Sequence, residues 1–196
     1  MDKRDELLQK VTPTVMVPRF GDFEPLAANG HRFLVASDGM WLEIKRAWLY
    51  ARIHCAPIQG HVPIPYGTVT PCVELLCGQI PKQIMEEFQE QAIAALPNET
   101  AATIIWHEQT GQMRLLPRVE LKTGKAYVTI EAPILAPHEH LVMDIHSHGK
   151  FIAGFSSTDN KYDETGVYLA GVIGNVDTDH PSYAYRVCAL GMFINL

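Results

Sequence analysis

The sequence predicts a mixed α/β (α+β) fold with a small β-rich portion at its N-terminus. Three observations lead there. One strongly amphipathic helical stretch, "PKQIMEEFQEQAIAAL" (81–96), stands alone in the chain. Short apolar runs of strand length follow it, separated by turn residues. Ahead of it, two β-prone runs flank Ser37-Asp38-Gly39, a hairpin signal. The expected division is a β-rich region over 1–75 and a main domain over 76–196.

The elements can be justified in order. The opening segment has little periodicity and is punctuated by Pro13, Pro18 and Gly21, so it reads as an extended arm. "HRFLVASDGMWLEIKRAWLYARIHCA" supplies the hairpin. Its Trp41, Trp48 and Tyr50 suit either a partner-binding face or a core, and aromatics this dense in a hairpin favour core. Pro57 to Pro71 holds four prolines and two glycines, and is expected to be a loop or linker separating the β-rich portion from the main domain. In the helix, Ile84, Phe88, Ala92 and Ala95 share one face, with Pro81 at the start and Pro97 just past the end. Strands are expected in "TAATIIWH", "MRLLPRVEL", "KAYVTIEA" and "HLVMDIH". A short helix near Asp159–Glu164 precedes two more, "VYLAGVIGNV" and "YAYRVCALGMFI".

Composition narrows the function classes. The chain has 196 residues, of which 47% are hydrophobic, enough for a sizeable core. Sixteen Lys and Arg against 22 Asp and Glu give a net charge of −6, with no basic block, so a nucleic-acid partner is disfavoured. No apolar run approaches the ~18 residues of a membrane span, and "MDKRDELLQK" lacks the apolar segment of a secretory signal. Cysteines 55, 72, 77 and 188 form no CxxC pair, so free and mostly buried thiols in a reducing cytoplasm are expected.

The chemistry concentrates in "DIHSHGKFIAGFSSTD" (144–159). Residues two apart on a strand point to one face, so His146 and His148 can reach a common point. Zinc suits two histidines and a carboxylate, with water in the fourth place, and Asp159 can supply the carboxylate. Each residue also has a plainer explanation. Ser156 or Thr158 could cap the next helix, with Asp159 favouring its dipole.

His146-x-His148, seven residues, Ser156, two residues, Asp159 together resemble the JAMM signature (HxH, x7, SxxD) of the JAB/MPN metalloprotease family. The resemblance implies a cytidine-deaminase-like sandwich, a mixed sheet with flanking helices. It implies Zn2+ held by His146, His148 and Asp159, with Ser156 donating a hydrogen bond to a developing oxyanion. A general-base glutamate is expected where the first long helix hands over to the next strand, and Glu99 stands there. Glu108, Glu131 and Glu139 remain rivals on sequence alone. Ser147, between the ligands, points to the opposite strand face and reads as structural. Many deubiquitinating members carry proline after the second histidine, whereas this chain has Gly149. The loop Gly149–Phe155, with two glycines, could occlude or order the site.

"LVASDGMWLEIKRAWLYARI" with the JAMM portion is similar to the protein A family of bacterial PRTRC systems. That likeness implies a ubiquitin-like protein as substrate, and E1-like and E2-like proteins as possible partners. A silent MPN scaffold, or a JAMM peptidase acting on a sulfur-carrier protein or other peptide, are the alternatives.

Overall fold

The computed structural model describes residues 2–60, 64–118, 120–124, 127–130 and 133–196. The chain divides into two units, Met1–Gly78 and Gln79–Leu196, each a mixed α+β assembly.

The first unit opens with a helix, α1 (Lys3–Val11), where an extended arm was expected. The Asp2 side chain accepts from the Arg4 N–H at 2.8 Å and starts the helix, while Asp5 and Glu6 in the first turn and Lys10 in the last suit its dipole. No residue of α1 is buried, so the periodicity that normally announces a helix is missing. Then come β1 (Thr14–Met16), β2 (Gly30–Ala36), β3 (Gly39–Lys45), β4 (Leu49–Pro57) and β5 (Cys72–Leu75). They form one sheet in that order, with β1 parallel to β2 and the rest antiparallel. The hairpin turns at Ser37-Asp38, as the sequence predicts. The proline-rich segment does not separate two portions, because β5 after it pairs with β4. The segment also folds back on the sheet: Gly67 N–H donates to the Val17 carbonyl at 3.0 Å, and Val69 packs with Val17, Leu34, Ala36 and Trp41. Trp41 and Trp48 are buried core and Tyr50 is half-buried.

Within this sheet, on β3, stands a charged residue with no exposure, Glu43. Its carboxylate accepts from Arg32 Nε, from the Tyr50 hydroxyl at 2.7 Å and from the Leu26 N–H at 2.9 Å, so it is fully satisfied. Removing one partner of a buried pair strands the other charge. Arg32→Ala is therefore expected to lose roughly 3 kcal/mol in urea unfolding. The double change Arg32→Met with Glu43→Met is expected to recover most of that loss.

The second unit starts with α2 (Lys82–Ala95), which buries Ile84, Phe88 and Ala92 along one face. Strands β6 (Ala101–His107), β7 (Met113–Pro117), β8 (Glu120–Gly124), β9 (Tyr127–Ile130) and β10 (Glu139–Ser147) follow. After them come α3 (Ser157–Tyr162), a single 3-10 turn (Asp163–Thr165), β11 (Val167–Gly174), β12 (Ser182–Ala189) and β13 (Met192–Asn195). Six of these strands form a sheet in the order β13-β12-β11-β10-β6-β7, while β8 and β9 pair separately. Only β10 and β11 run parallel in the large sheet, joined by the crossover that contains α3. Two apolar runs split where one strand each was expected. "MRLLPRVEL" divides between β7 and β8 near Arg118, and "YAYRVCALGMFI" divides at Leu190 (φ 53) and Gly191 (φ 91), a tight turn.

Among the described residues no helix is long and apolar enough to cross a membrane. All four thiols are free, and only Cys188 is fully buried, where mostly buried thiols were expected.

Candidate metal centre

β10 is hydrogen-bonded along both edges, antiparallel to β6 and parallel to β11. His146 lies at its end, opposite Ala101 on one side and Val172 on the other. The alternation of the strand sends His146 and His148 to one face and Ser147 to the other, where Ser147 is completely buried. The two imidazoles meet with Nε2 atoms 3.2 Å apart, and Asp159 Oδ1 lies 3.6 Å from His146 Nε2. All three ligand atoms fall within 4.8 Å of one another. A tetrahedral ion with zinc–nitrogen bonds of about 2.0–2.1 Å holds its nitrogens about 3.3 Å apart, so the donor spacing fits zinc. Two nitrogens and one carboxylate oxygen also leave a fourth position free.

The protonation states favour the same use. Burial pushes the His146 imidazole down to about 4, the Asp159 carboxylate opposing and His148 adding to the shift, so the ring is neutral at physiological pH. His148 Nδ1 sits 3.2 Å from the Ile152 carbonyl. As donor there, Nδ1 leaves the Nε2 lone pair facing the centre.

Asp159 belongs to a capping box at the start of α3. Ser156 N–H donates to Asp159 Oδ2 at 2.6 Å, and Asp159 N–H donates to Ser156 Oγ at 3.2 Å. The plainer reading of "SSTD" as a helix cap is thus correct, and it does not compete with metal binding. One carboxylate oxygen serves the cap and the other faces the histidines.

Glu99 is buried on the turn between α2 and β6. Its neighbour Thr100 is laced to β10 by two reciprocal bonds: Thr100 N–H to Ser147 Oγ at 3.1 Å, and Ser147 N–H to the Thr100 carbonyl at 2.9 Å. The residue between the two histidines therefore holds the turn that carries the glutamate. Burial, with the Asp159 charge as a second cause, pushes the Glu99 carboxyl up to about 7. Glu108 and Glu139 go elsewhere. In the β6–β10 register His107 faces Glu139 while Ala101 faces His146, which puts those glutamates about 20 Å from the histidines at 3.3–3.4 Å per residue. Glu108 contacts His140 at 3.0 Å, and Glu139 accepts from Arg114 at 2.8 Å. Glu131 lies outside the described residues.

Residues 81–188, more than half of the chain, match the family described as prokaryotic homologs of the JAB domain. The chain belongs to this prokaryotic JAB family. Residues 2–76 match a domain of unknown function, DUF2016. No curated protein matches the chain. Among solved structures, the solution structure of protein DSY2949 from Desulfitobacterium hafniense is similar at 17% identity and a TM-score of 0.46, covering 59% of this chain and 86% of that one.

Gly149 of this JAB chain has φ 54, a conformation closed to proline, whose φ is fixed near −65°. Its carbonyl accepts from Val176 N–H at 3.0 Å, and Phe151 N–H donates to the His148 carbonyl at 2.9 Å. Ala153 N–H donates to Ser182 Oγ at 2.8 Å. The loop's backbone lies so close to Gly174 that a Cβ there would sit 2.2 Å from the Phe151 carbonyl oxygen. The Gly149–Phe155 loop is thus an ordered wall that presents the Ile152 carbonyl to His148.

Two buried ion pairs beside the site were missed by the sequence reading. Arg118 Nη1 donates to Asp144 Oδ2 at 2.9 Å, and Arg186 Nη2 donates to Asp163. The available signals were Asp144 at the same strand parity as the histidines, and a lone arginine inside "YAYRVCAL".

The raised Glu99 carboxyl makes a pH prediction. A carboxyl near 7 when folded and near 4.5 when unfolded contributes stability that is full below about 4.5 and is lost as pH rises through about 7. In chelator-treated protein, Glu99→Gln should therefore melt with wild type at pH 4.5 and above it at pH 8. Equal melting temperatures at both pH values would mean that Glu99 ionises like an exposed carboxyl.

Proposed function

We propose that the protein is a JAMM-type zinc hydrolase that cuts an amide or isopeptide bond at the C-terminus of a ubiquitin-like protein. The observation that carries this reading is the convergence of His146, His148 and Asp159 within 4.8 Å, with a buried glutamate on the adjoining turn. Zinc held by these three side chains would supply a water acidic enough to lose a proton near neutral pH.

The protein's own residues do the rest. Glu99, buried on the turn between α2 and β6, accepts a proton on its carboxylate and returns it to the departing amine. Ser156 Oγ spends a lone pair on the Asp159 N–H, which leaves its hydroxyl hydrogen to donate to the oxygen of the scissile carbonyl as charge grows there. The Ile152 carbonyl keeps His148 in the tautomer that ligates. Ser147 keeps Glu99's turn against β10.

Membership of the JAB family supports hydrolysis as the chemistry. The likeness to the PRTRC protein A family supports the substrate class: a ubiquitin-like protein from the same gene cluster, with E1-like and E2-like proteins as further partners in the cytoplasm.

The test combines metal analysis with cleavage of that ubiquitin-like protein carrying a C-terminal extension. Wild type is expected to hold one zinc per chain and to release the extension. His146→Ala and Asp159→Ala should lose the metal. Glu99→Gln should keep zinc and lose at least about 100-fold in turnover. Ser156→Ala should also keep zinc, because the bond to Asp159 Oδ2 comes from its backbone, while kcat falls roughly 10²–10³-fold. A zinc-loaded wild-type chain that leaves the fusion intact sinks the substrate assignment, and an active Glu99→Gln protein sinks the role given to Glu99.

A further inference from the structure

The segment 155–163 delivers both Ser156 and Asp159, yet α3 has only six residues and buries none of them. A helix this short does not hold itself in place. One grip on it comes from β12. The Arg186 guanidinium lies over the ring of Phe155, 3.8 Å from its centroid, and over that of Phe193 at 4.1 Å. Nη1 donates to Asn160 Oδ1 at 2.5 Å and Nη2 donates to Asp163 Oδ2. Asp163 is fixed in turn by the Tyr168 hydroxyl at 2.6 Å. Arg186 is only 3% exposed. Its contacts bracket the ligand: Phe155 precedes the Ser156 cap, Asn160 follows Asp159, and Asp163 closes the helix.

We propose that Arg186 is a positioning residue for the metal centre, setting the place of Asp159 and Ser156 without touching the ion. The inference rests on the proposed metal centre and goes beyond it. His146 is held by the β10 pairings, and His148 by its N–H bond to the Ile173 carbonyl at 2.8 Å and by the Ile152 carbonyl; none of these involves Arg186. Loss of Arg186 therefore displaces one ligand of three. Lysine cannot replace it, since an ammonium offers neither the planar fork nor the flat face that two aromatic rings can enclose.

The experiment measures zinc affinity of the full chain by chelator competition, and the visible spectrum of the cobalt(II)-substituted protein. Arg186→Lys is expected to weaken zinc roughly 10–100-fold and to change the cobalt bands, which report ligand geometry. Asn160→Ala, at an exposed position and so tolerant of change, should weaken zinc in the same direction and carries the test if Arg186→Lys does not fold. Val187→Ala is the control: it lies on the opposite face of β12, is fully buried, and should lower the melting temperature with both metal readouts unchanged. Wild-type affinity and spectrum in both Arg186→Lys and Asn160→Ala would overturn the proposal. So would a Val187→Ala protein that loses zinc as readily as Arg186→Lys. A wild-type chain with no zinc affinity is a different result, and overturns the metal centre itself.

Discussion

β10 reaches the candidate metal centre with both edges already hydrogen-bonded, to β6 on one side and β11 on the other. A strand so constrained has one remaining degree of choice, the parity of its side chains, and "HSH" uses it fully. Two imidazoles point one way, and the serine between them points the other way into the core. The reciprocal bonds between Ser147 and Thr100 then carry that order sideways to the glutamate turn. Two imidazoles and a carboxyl are thus set by backbone pairing before any ligand arrives. Orientation fixed during folding need not be supplied again during reaction.

The electrostatics of the site stem from the same burial. Taking His146 out of water favours its neutral form, and taking Glu99 out of water favours its protonated form. Both shifts disfavour charge on these two buried side chains. Asp159 supplies the negative charge that the histidines cannot, and the capping box keeps one of its oxygens turned toward them. Helix capping and metal ligation are usually weighed as rival explanations of such an aspartate. Here they use different oxygens of one carboxylate, so the cap is what aims the ligand.

Features that depend on local period and fixed spacing could be read from the sequence. The α2 face, the Ser37-Asp38 turn and the HxH–SxxD spacing all lie within a few residues of their own cause. α1 was illegible because it buries nothing and shows no apolar stripe, although Asp2 and the charges at its two ends mark its limits. The break at Leu190 was hidden because the flanking residues stay apolar through the turn. The role of the proline-rich segment was misread because its return to the sheet depends on β5, four residues none of which is buried. The buried arginines were missed for another reason: their partners lie far off in sequence, 26 residues from Arg118 to Asp144 and 23 from Arg186 to Asp163. Pairing over such distances has no local signature. Only the oddity of an ionised residue inside an apolar strand hints at it.

Those arginines converge on α3. Arg118 holds Asp144 and the Tyr162 hydroxyl, and Arg186 holds Asn160 and Asp163. Burying two cations and two carboxylates is a poor way to gain stability, since well-packed apolar residues of equal volume commonly do as well or better. Apolar packing, however, tolerates sliding, and a six-residue helix with no buried side chain could slide easily. Directional, charge-assisted bonds to Asn160, Tyr162 and Asp163, with Phe155 held under the Arg186 guanidinium ahead of the helix, oppose that movement. An aspartate that must face two histidines within a few tenths of an ångström needs that kind of restraint. A metal centre at His146, His148 and Asp159 would give the buried ion pairs a reason that stability alone does not.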